Sequence, residues 1–293
     1  MGAVRTEPVI ALVTSDFGLT VDTELSALAE RIGERARVST VRWDDPAVDW
    51  AAFDLALIRS TWDYPGRVAE FLDWVDRAAG ATRLVNPGPL VRWNAVKTYL
   101  ADLGERGVPV VPTAFVAPGQ QPALPAGEFV VKPVVGAGAL HAARYGPQEH
   151  ERAAAQIGCL HADGATVMIQ PYQAAVDTAG EAALVFVGGR FRHAVRKGAV
   201  LAPGVAYDSD RDAHPDLRRY TPTERELAVA GTALAALDGA PPLYARVDLV
   251  PGPDGAPLLM ELELIEPDLF LWADPATLDA LVTAVIDAAL TTP

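Results

Sequence analysis

Short runs of apolar, β-branched residues alternate with helical patterns along the first part of the chain. Val9–Thr14, Val38–Arg42 and Leu55–Thr61 read as strands, while Glu24–Ile32 and Val68–Ala78 carry apolar residues at helical spacing. Strand and helix in alternation predict a parallel α/β unit, which the turn sequence Asn86-Pro87-Gly88-Pro89 closes. Beyond it the pattern changes. A helix is predicted from Asn94, as its N-cap, to Gly104 or Gly107, with Lys97 in its first turn; a proline-rich connection follows from Pro109 to Pro125. A strand at Glu128–Val134, a helix over 147–161 and a strand at 166–170 come next. Glu181–Val187 and Arg190–Lys197 flank Gly188-Gly189 and predict a hairpin. Tyr244–Val250 and Pro257–Leu264 bracket a Pro-Asp-Gly turn and predict another. Helices are expected over 224–237 and from Asp274 to about Leu290, and the polar stretch 202–222 reads as a lid or a disordered segment.

Composition narrows the function classes. With 293 residues, half of them apolar, the chain can bury the core of about two domains. The net charge of −14 and the lack of a basic stripe argue against a nucleic-acid partner. No apolar run reaches the ~18 residues of a membrane span, and no signal-peptide pattern opens the chain, so a cytoplasmic protein without membrane contact is expected. The single cysteine, Cys159, lies in an Ala-rich helical stretch and is expected to be buried.

Only Lys97, Lys132 and Lys197 are lysines among 24 basic residues. Scarcity of this kind marks places where a compact ammonium does what a planar guanidinium cannot. Lys132 ends a strand just before Gly136-Ala137-Gly138, a turn whose N–H groups can approach phosphate oxygens with little side-chain obstruction. Asp248, Glu261 and Glu263 alternate with apolar residues on the last hairpin and can share one face. Three such carboxylates would repel unless a cation joined them, and Mg²⁺ bridging substrate phosphates is one answer; an acidic face turned to water is the other. Gln170-Pro171-Tyr172, at a strand exit, can offer backbone groups to a flat ring. Arg196 and Lys197 end a hairpin strand, placed to neutralise a phosphoryl group or to lie in solvent. Arg59, Ser60 and Thr61 stand at the carboxyl end of a strand, where open α/β sheets bind ligands.

Taken in order, these segments resemble the ATP-grasp superfamily, within it the glutathione-synthetase-like ligases. Arg59-Ser-Thr-Trp-Asp-Tyr64, Arg92-Trp-Asn94, Arg196-Lys-Gly198, Tyr244-Ala-Arg-Val-Asp248 and Glu263-Leu-Ile-Glu-Pro-Asp-Leu-Phe270 bring it nearer to the cyclo-ligases that make the cycloserine ring from O-ureido-serine. The resemblance implies a mixed α/β and α+β fold. A Rossmann-like domain over 1–88 would precede an ATP-grasp domain over 89–293, with a lid subdomain at about 110–172. It implies ATP and Mg²⁺ as cofactors, with Lys97 and Lys132 on the α/β phosphates and Gly136, Ala137 and Gly138 folded over them. Adenine would lie at Gln170 to Tyr172 and the ribose at Glu181. Asp248, Glu261 and Glu263 would hold the metal, Arg196, Arg246 and Lys197 would stabilise the phosphoryl group in flight, and Arg59, Ser60 and Thr61 would take the acceptor carboxylate. The implied reaction joins a small-molecule carboxylate to an amine through an acyl phosphate; a phosphotransferase and a non-catalytic nucleotide binder are the rival readings, and homo-oligomerisation stays open. Two positions depart from the pattern: Glu263 stands where many members have Asn, and Ala183 where an arginine often follows the ribose acid.

Overall fold

The computed structural model describes residues 7–204 and 215–291. The 205–214 part of the expected lid segment therefore lies outside the described residues. Four parallel strands, β1 (Val9–Thr14), β2 (Arg37–Arg42), β3 (Leu55–Ser60) and β4 (Arg83–Val85), form the first sheet in the order β2-β1-β3-β4. Their connections are α1 (Asp16–Val21), α2 (Leu25–Gly33) and α3 (Val68–Ala81). Because β1 leads out to β2 and the chain then returns to β3 on the other side, the switch point lies between the ends of β1 and β3.

Two short helices, α4 (Gly88–Asn94) and α5 (Tyr99–Glu105), replace the single helix expected from Asn94. Asn94 is buried and does not cap. Its Nδ2 donates to Leu262 O at 2.8 Å and its Oδ1 accepts from Leu264 N at 2.9 Å. Lys97 consequently sits in the break between the helices, free of any conflict with a helix dipole.

The sheet of the expected lid segment is antiparallel, in the order β5-β8-β6-β7, from β5 (Ala114–Val116), β6 (Phe129–Pro133), β7 (Ala143–Tyr145) and β8 (Val167–Pro171), with α6 (His150–Ala162) across one face. Ala153, Ile157 and Leu160 turn α6 inward, which leaves Cys159 exposed rather than buried as expected. A short helix, α7 (Val176–Ala179), leads into the five-stranded central sheet. Its order is β11-β10-β9-β12-β13, built from β9 (Glu181–Val187), β10 (Arg190–Lys197), β11 (Arg218–Tyr220), β12 (Tyr244–Pro251) and β13 (Pro257–Glu263). One face packs on α8 (Glu224–Ala235), whose N-terminus is closed by a Thr223–Glu226 capping box.

Both predicted hairpins form as read. The last helix, α9 (Pro275–Leu290), crosses back to the first domain, where Leu281, Val282, Val285 and Ile286 pack with Ile10, Leu12 and Leu28. Asn86 and Tyr244 tie the same junction. Asn86 Nδ2 donates to Tyr244 O and Leu264 O, and Tyr244 Oη lies 2.9 Å from Ile58 O.

Candidate active site

Strand register assembles the acidic face. On the β12–β13 ladder Arg246 lies opposite Glu263 and Asp248 opposite Glu261, so all four share one side of the hairpin. Arg246 grips Asp248 through Nε to Oδ1 and Nη2 to Oδ2, each at 2.9 Å, and also binds Glu263 Oε1. Lys197 Nζ reaches Asp248 Oδ2 at 2.7 Å and pairs with Glu181, the residue opposite it on β9. Lys97 Nζ lies 2.9 Å from Glu261 Oε1 and donates to Gly136 O at 2.5 Å. The site lysines, the glycine loop and the hairpin thus converge on one cleft.

The titration pattern follows from burial and pairing. Burial would raise Asp248, but Arg246 and Lys197 outweigh it and hold its carboxyl well below the usual range. Burial opposes ionisation of Glu261 too, and Lys97 and Lys132 overcome it. Glu263 is pushed up to about 7, by burial first and then by Glu261 and Asp248 against the pull of Arg246. Burial lowers Lys132, whose ammonium makes no hydrogen bond or ion pair with a described residue. Glu261 offsets that burial only in part, so an anion arriving beside the ammonium would favour it further.

Arg196 is not part of this cleft. Adjacent residues on a strand point to opposite faces, so Lys197 faces the carboxylates while Arg196 faces α8. There it lies 3.6 Å from the centre of the Tyr220 ring and pairs with Glu226 at 3.4 Å, beside a pocket of about 580 Å³. Its expected place beside the phosphoryl group is corrected accordingly. Lys197 brings its ammonium to the face on which Ala183 carries no charge.

At the switch point, Ser60 Oγ and Thr14 Oγ1 lie 2.7 Å apart, and Ser15 Oγ donates to Ser60 O at 3.0 Å. Ser60 is thus committed to joining β1 and β3. Arg59 is buried, its Nη2 shared between Glu24 Oε2 and Pro267 O, each at 3.2 Å. Its Nε and Nη1, and Thr61 Oγ1, are buried without hydrogen-bond partners.

Sequence reasoning missed Glu266 and Glu24. Glu266 lies near Glu263 and Lys97, and burial together with Glu263 pushes it up to about 8. Its position three residues after Glu263 was the available signal. Glu24 accepts from Leu269 N at 3.1 Å and from Leu271 N, clamping the segment after Glu266. No local pattern announces it.

Among the described residues no group of three or more His, Cys, Asp or Glu side chains converges into a metal site. Asp248, Glu261 and Glu263 have the hard-oxygen chemistry that suits Mg²⁺. Here each is held instead by Arg246, Lys197 or Lys97.

Residues 10–86 match the family described as D-cycloserine synthetase DcsG, N-terminal domain. Over 289 residues the chain is 40% identical to the cycloserine biosynthesis protein DcsG of Streptomyces lavendulae, covering 90% of this chain and 93% of that protein. The chain belongs to the DcsG family. A crystal structure of D-cycloserine synthetase DcsG superposes with a TM-score of 0.87 at 36% identity, over 96% of this chain and 99% of that one. The wider fold is that of the ATP-grasp ligases. D-alanine–D-alanine ligase from Bacillus anthracis matches with a TM-score of 0.71 at 15% identity, over 97% of each chain. A second structure of that ligase, complexed with ATP, matches at 0.64 and 17%, again over 97% of each. Kinship with DcsG makes the ligase reading a property of the family.

Proposed function

We propose that this DcsG-family ligase uses ATP and Mg²⁺ to activate the carboxylate of a small amino-acid-like metabolite, which an amine of the same molecule then attacks to close a ring. The observation that carries the reading is the hairpin face on which Arg246, Asp248, Glu261 and Glu263 interleave with the ammonium groups of Lys97 and Lys197. A mere solvent-facing acidic hairpin would not bury its carboxylates against site lysines.

Each residue has a physical task. Lys132 and Lys97 neutralise phosphate oxygens, and the burial of the Lys132 ammonium, which Glu261 offsets only in part, supports an anion beside it. Gly136, Ala137 and Gly138 bring backbone close to the phosphates. Glu181, oriented by Lys197, takes the ribose hydroxyls, and the backbone from Gln170 through Pro171 to Tyr172 takes the adenine. Asp248, Glu261 and Glu263 supply oxygens for Mg²⁺, which when bound would neutralise charge on the phosphates. Arg246 and Lys197 stabilise negative charge during transfer. The free donors of Arg59 and Thr61 at the β1/β3 switch point support an acceptor carboxylate nearby.

In the proposed reaction the substrate carboxylate attacks the γ-phosphorus, forming an acyl phosphate and ADP. The amine nitrogen then attacks the acyl carbon, phosphate departs, and the nitrogen loses a proton. No protein nucleophile is required; positioning and charge neutralisation suffice.

The test is incubation with ATP, Mg²⁺ and a panel of amino-acid carboxylates that includes O-ureido-serine, with and without hydroxylamine as trapping amine. ADP release with hydroxamate, or with a cyclised product by mass spectrometry, supports the reading. A stable phosphorylated product, or no turnover with any acceptor, overturns it. Glu261→Gln should abolish turnover while the circular dichroism spectrum stays unchanged.

A further inference from the structure

The β5-β8-β6-β7 sheet presents its two faces to different neighbours. Phe129, Val131, Ala143, Val167 and Ile169 pack with α6. Alternation along β6 turns Glu128 and Lys132 to the opposite face, and register adds Arg144 from β7 and Gln170 from β8, both opposite Val130. Four residues of strand, roughly 13 Å, separate Lys132 from Glu128. That span matches an extended nucleoside triphosphate with its phosphates at the Lys132 end. Arg144, opposite Val130, reaches from the middle of that span to Glu128 at the end away from Lys132.

Arg144 is 5% exposed, and its guanidinium is almost fully employed. Nη1 donates to both carboxylate oxygens of Asp177 at 3.0 Å, and Nη2 donates to Glu128 Oε2 at 2.8 Å. The guanidinium carbon Cζ lies 3.5 Å from the centre of the Tyr172 ring. Tyr172 in turn donates its hydroxyl to Asp177 Oδ1 at 2.5 Å, and its backbone N–H to Glu128 O at 2.8 Å. One buried side chain thus holds a residue before β6, the residue leaving β8, and the helix of the connection into β9. That connection starts from the backbone proposed to receive adenine and ends one residue before Glu181.

We propose that Arg144 is a positioning residue for the nucleotide: it fixes the 171–180 connection so that its backbone and Glu181 present a preformed site for the adenosine half of ATP. The inference rests on the ATP-binding reading of the cleft. A lysine cannot replace this arginine, because the task needs fork geometry toward two carboxylates and a flat face against a ring.

The experiment measures binding of a non-hydrolysable ATP analogue by calorimetry, and KM for ATP and kcat at saturating ATP, for Arg144→Lys, Asp177→Asn and the double variant. Arg144→Lys should weaken analogue binding and raise KM for ATP about tenfold or more, with kcat within about twofold of wild type. Asp177→Asn should act in the same direction, and the double variant should lose less than the product of the two losses. Unchanged analogue affinity in both single variants overturns the inference, as does a loss of kcat in step with a fallen melting temperature while KM stays put. A wild-type protein that fails to bind the analogue overturns the nucleotide reading itself, and this inference with it.

Discussion

Lys197 donates to Asp248 across an intervening strand: their strands, β10 and β12, are separated by β9, yet Nζ and Oδ2 lie 2.7 Å apart. The residue between them on β9 is Ala183, which pairs with Val195 on one side and Asp248 on the other. Its small side chain leaves the path open, and the ammonium also meets Glu181. The alanine that departs from the family pattern is therefore matched by a lysine that arrives from the next strand.

Removing that ammonium should be costly. Lys197→Met would leave Asp248 and Glu181 buried with one cation fewer, and breaking a buried pair typically costs about 3–5 kcal/mol. Denaturant unfolding should show a loss of that order, and turnover at saturating substrates should fall at least about a hundredfold. A variant as stable and active as wild type would remove Lys197 from the site.

Arg196→Ala makes a contrasting case. Its side chain lies on the other face of the sheet, against Tyr220 and Glu226. Stability should drop by about 1–2 kcal/mol from the lost stacking and pairing. Turnover should stay within about threefold of wild type, under ~1 kcal/mol of transition-state stabilisation. A collapse of kcat with an intact fold would put Arg196 back among the phosphoryl-binding groups.

Gly18 marks the closest approach at the switch point. A Cβ there would meet Ser60 O at 2.2 Å and Thr14 Oγ1 at 2.4 Å, in an otherwise ordinary helical backbone. Gly18→Ala should cost about 1–3 kcal/mol by overpacking and, by displacing the end of β3, raise KM for the carboxylate acceptor more than KM for ATP. Equal effects on both constants would count against an acceptor site at these strand ends.

Glu24 gives a pH dependence. Burial first, and then Asp268, push it from 4.5 up to about 7 against the pull of Arg59 and two backbone N–H groups. An acid whose folded value is raised contributes stability below its unfolded value, and that contribution is lost as pH rises through the folded one. Relative to Glu24→Gln, wild type should therefore lose about 3 kcal/mol between pH 4.5 and pH 7 and level off above. Denaturant titrations of both proteins across that range check it; parallel profiles would contradict it.

The longer strands and both hairpins were legible because period-two patterns and glycine turns are local signals, whereas β4, β7 and β11, three residues each, are too short to show one, and β11 lies in the stretch expected to be a lid or disordered. Asp248, Glu261 and Glu263 shared a face as soon as the turn fixed the register. Lys97 stood out as one of three lysines, but its setting was not legible, since Asn94 looked like a cap until its amide proved to bridge Leu262 and Leu264. Arg196 and Lys197 could have been separated from sequence, because neighbours on a strand cannot share a face. Arg144 and Glu24 could not have been found, for their partners meet them only after distant segments fold.

The packing of α9 on the first sheet sets an order of events during synthesis. The residues up to Gly88 leave the ribosome with their strands and helices encoded, yet the apolar face around Ile10, Leu12 and Leu28 has to wait for Leu281, Val282 and Val285 at the far end of the chain. The ends of β1 and β3 therefore cannot mature before the β12–β13 hairpin has been made. The first domain written is the last one finished.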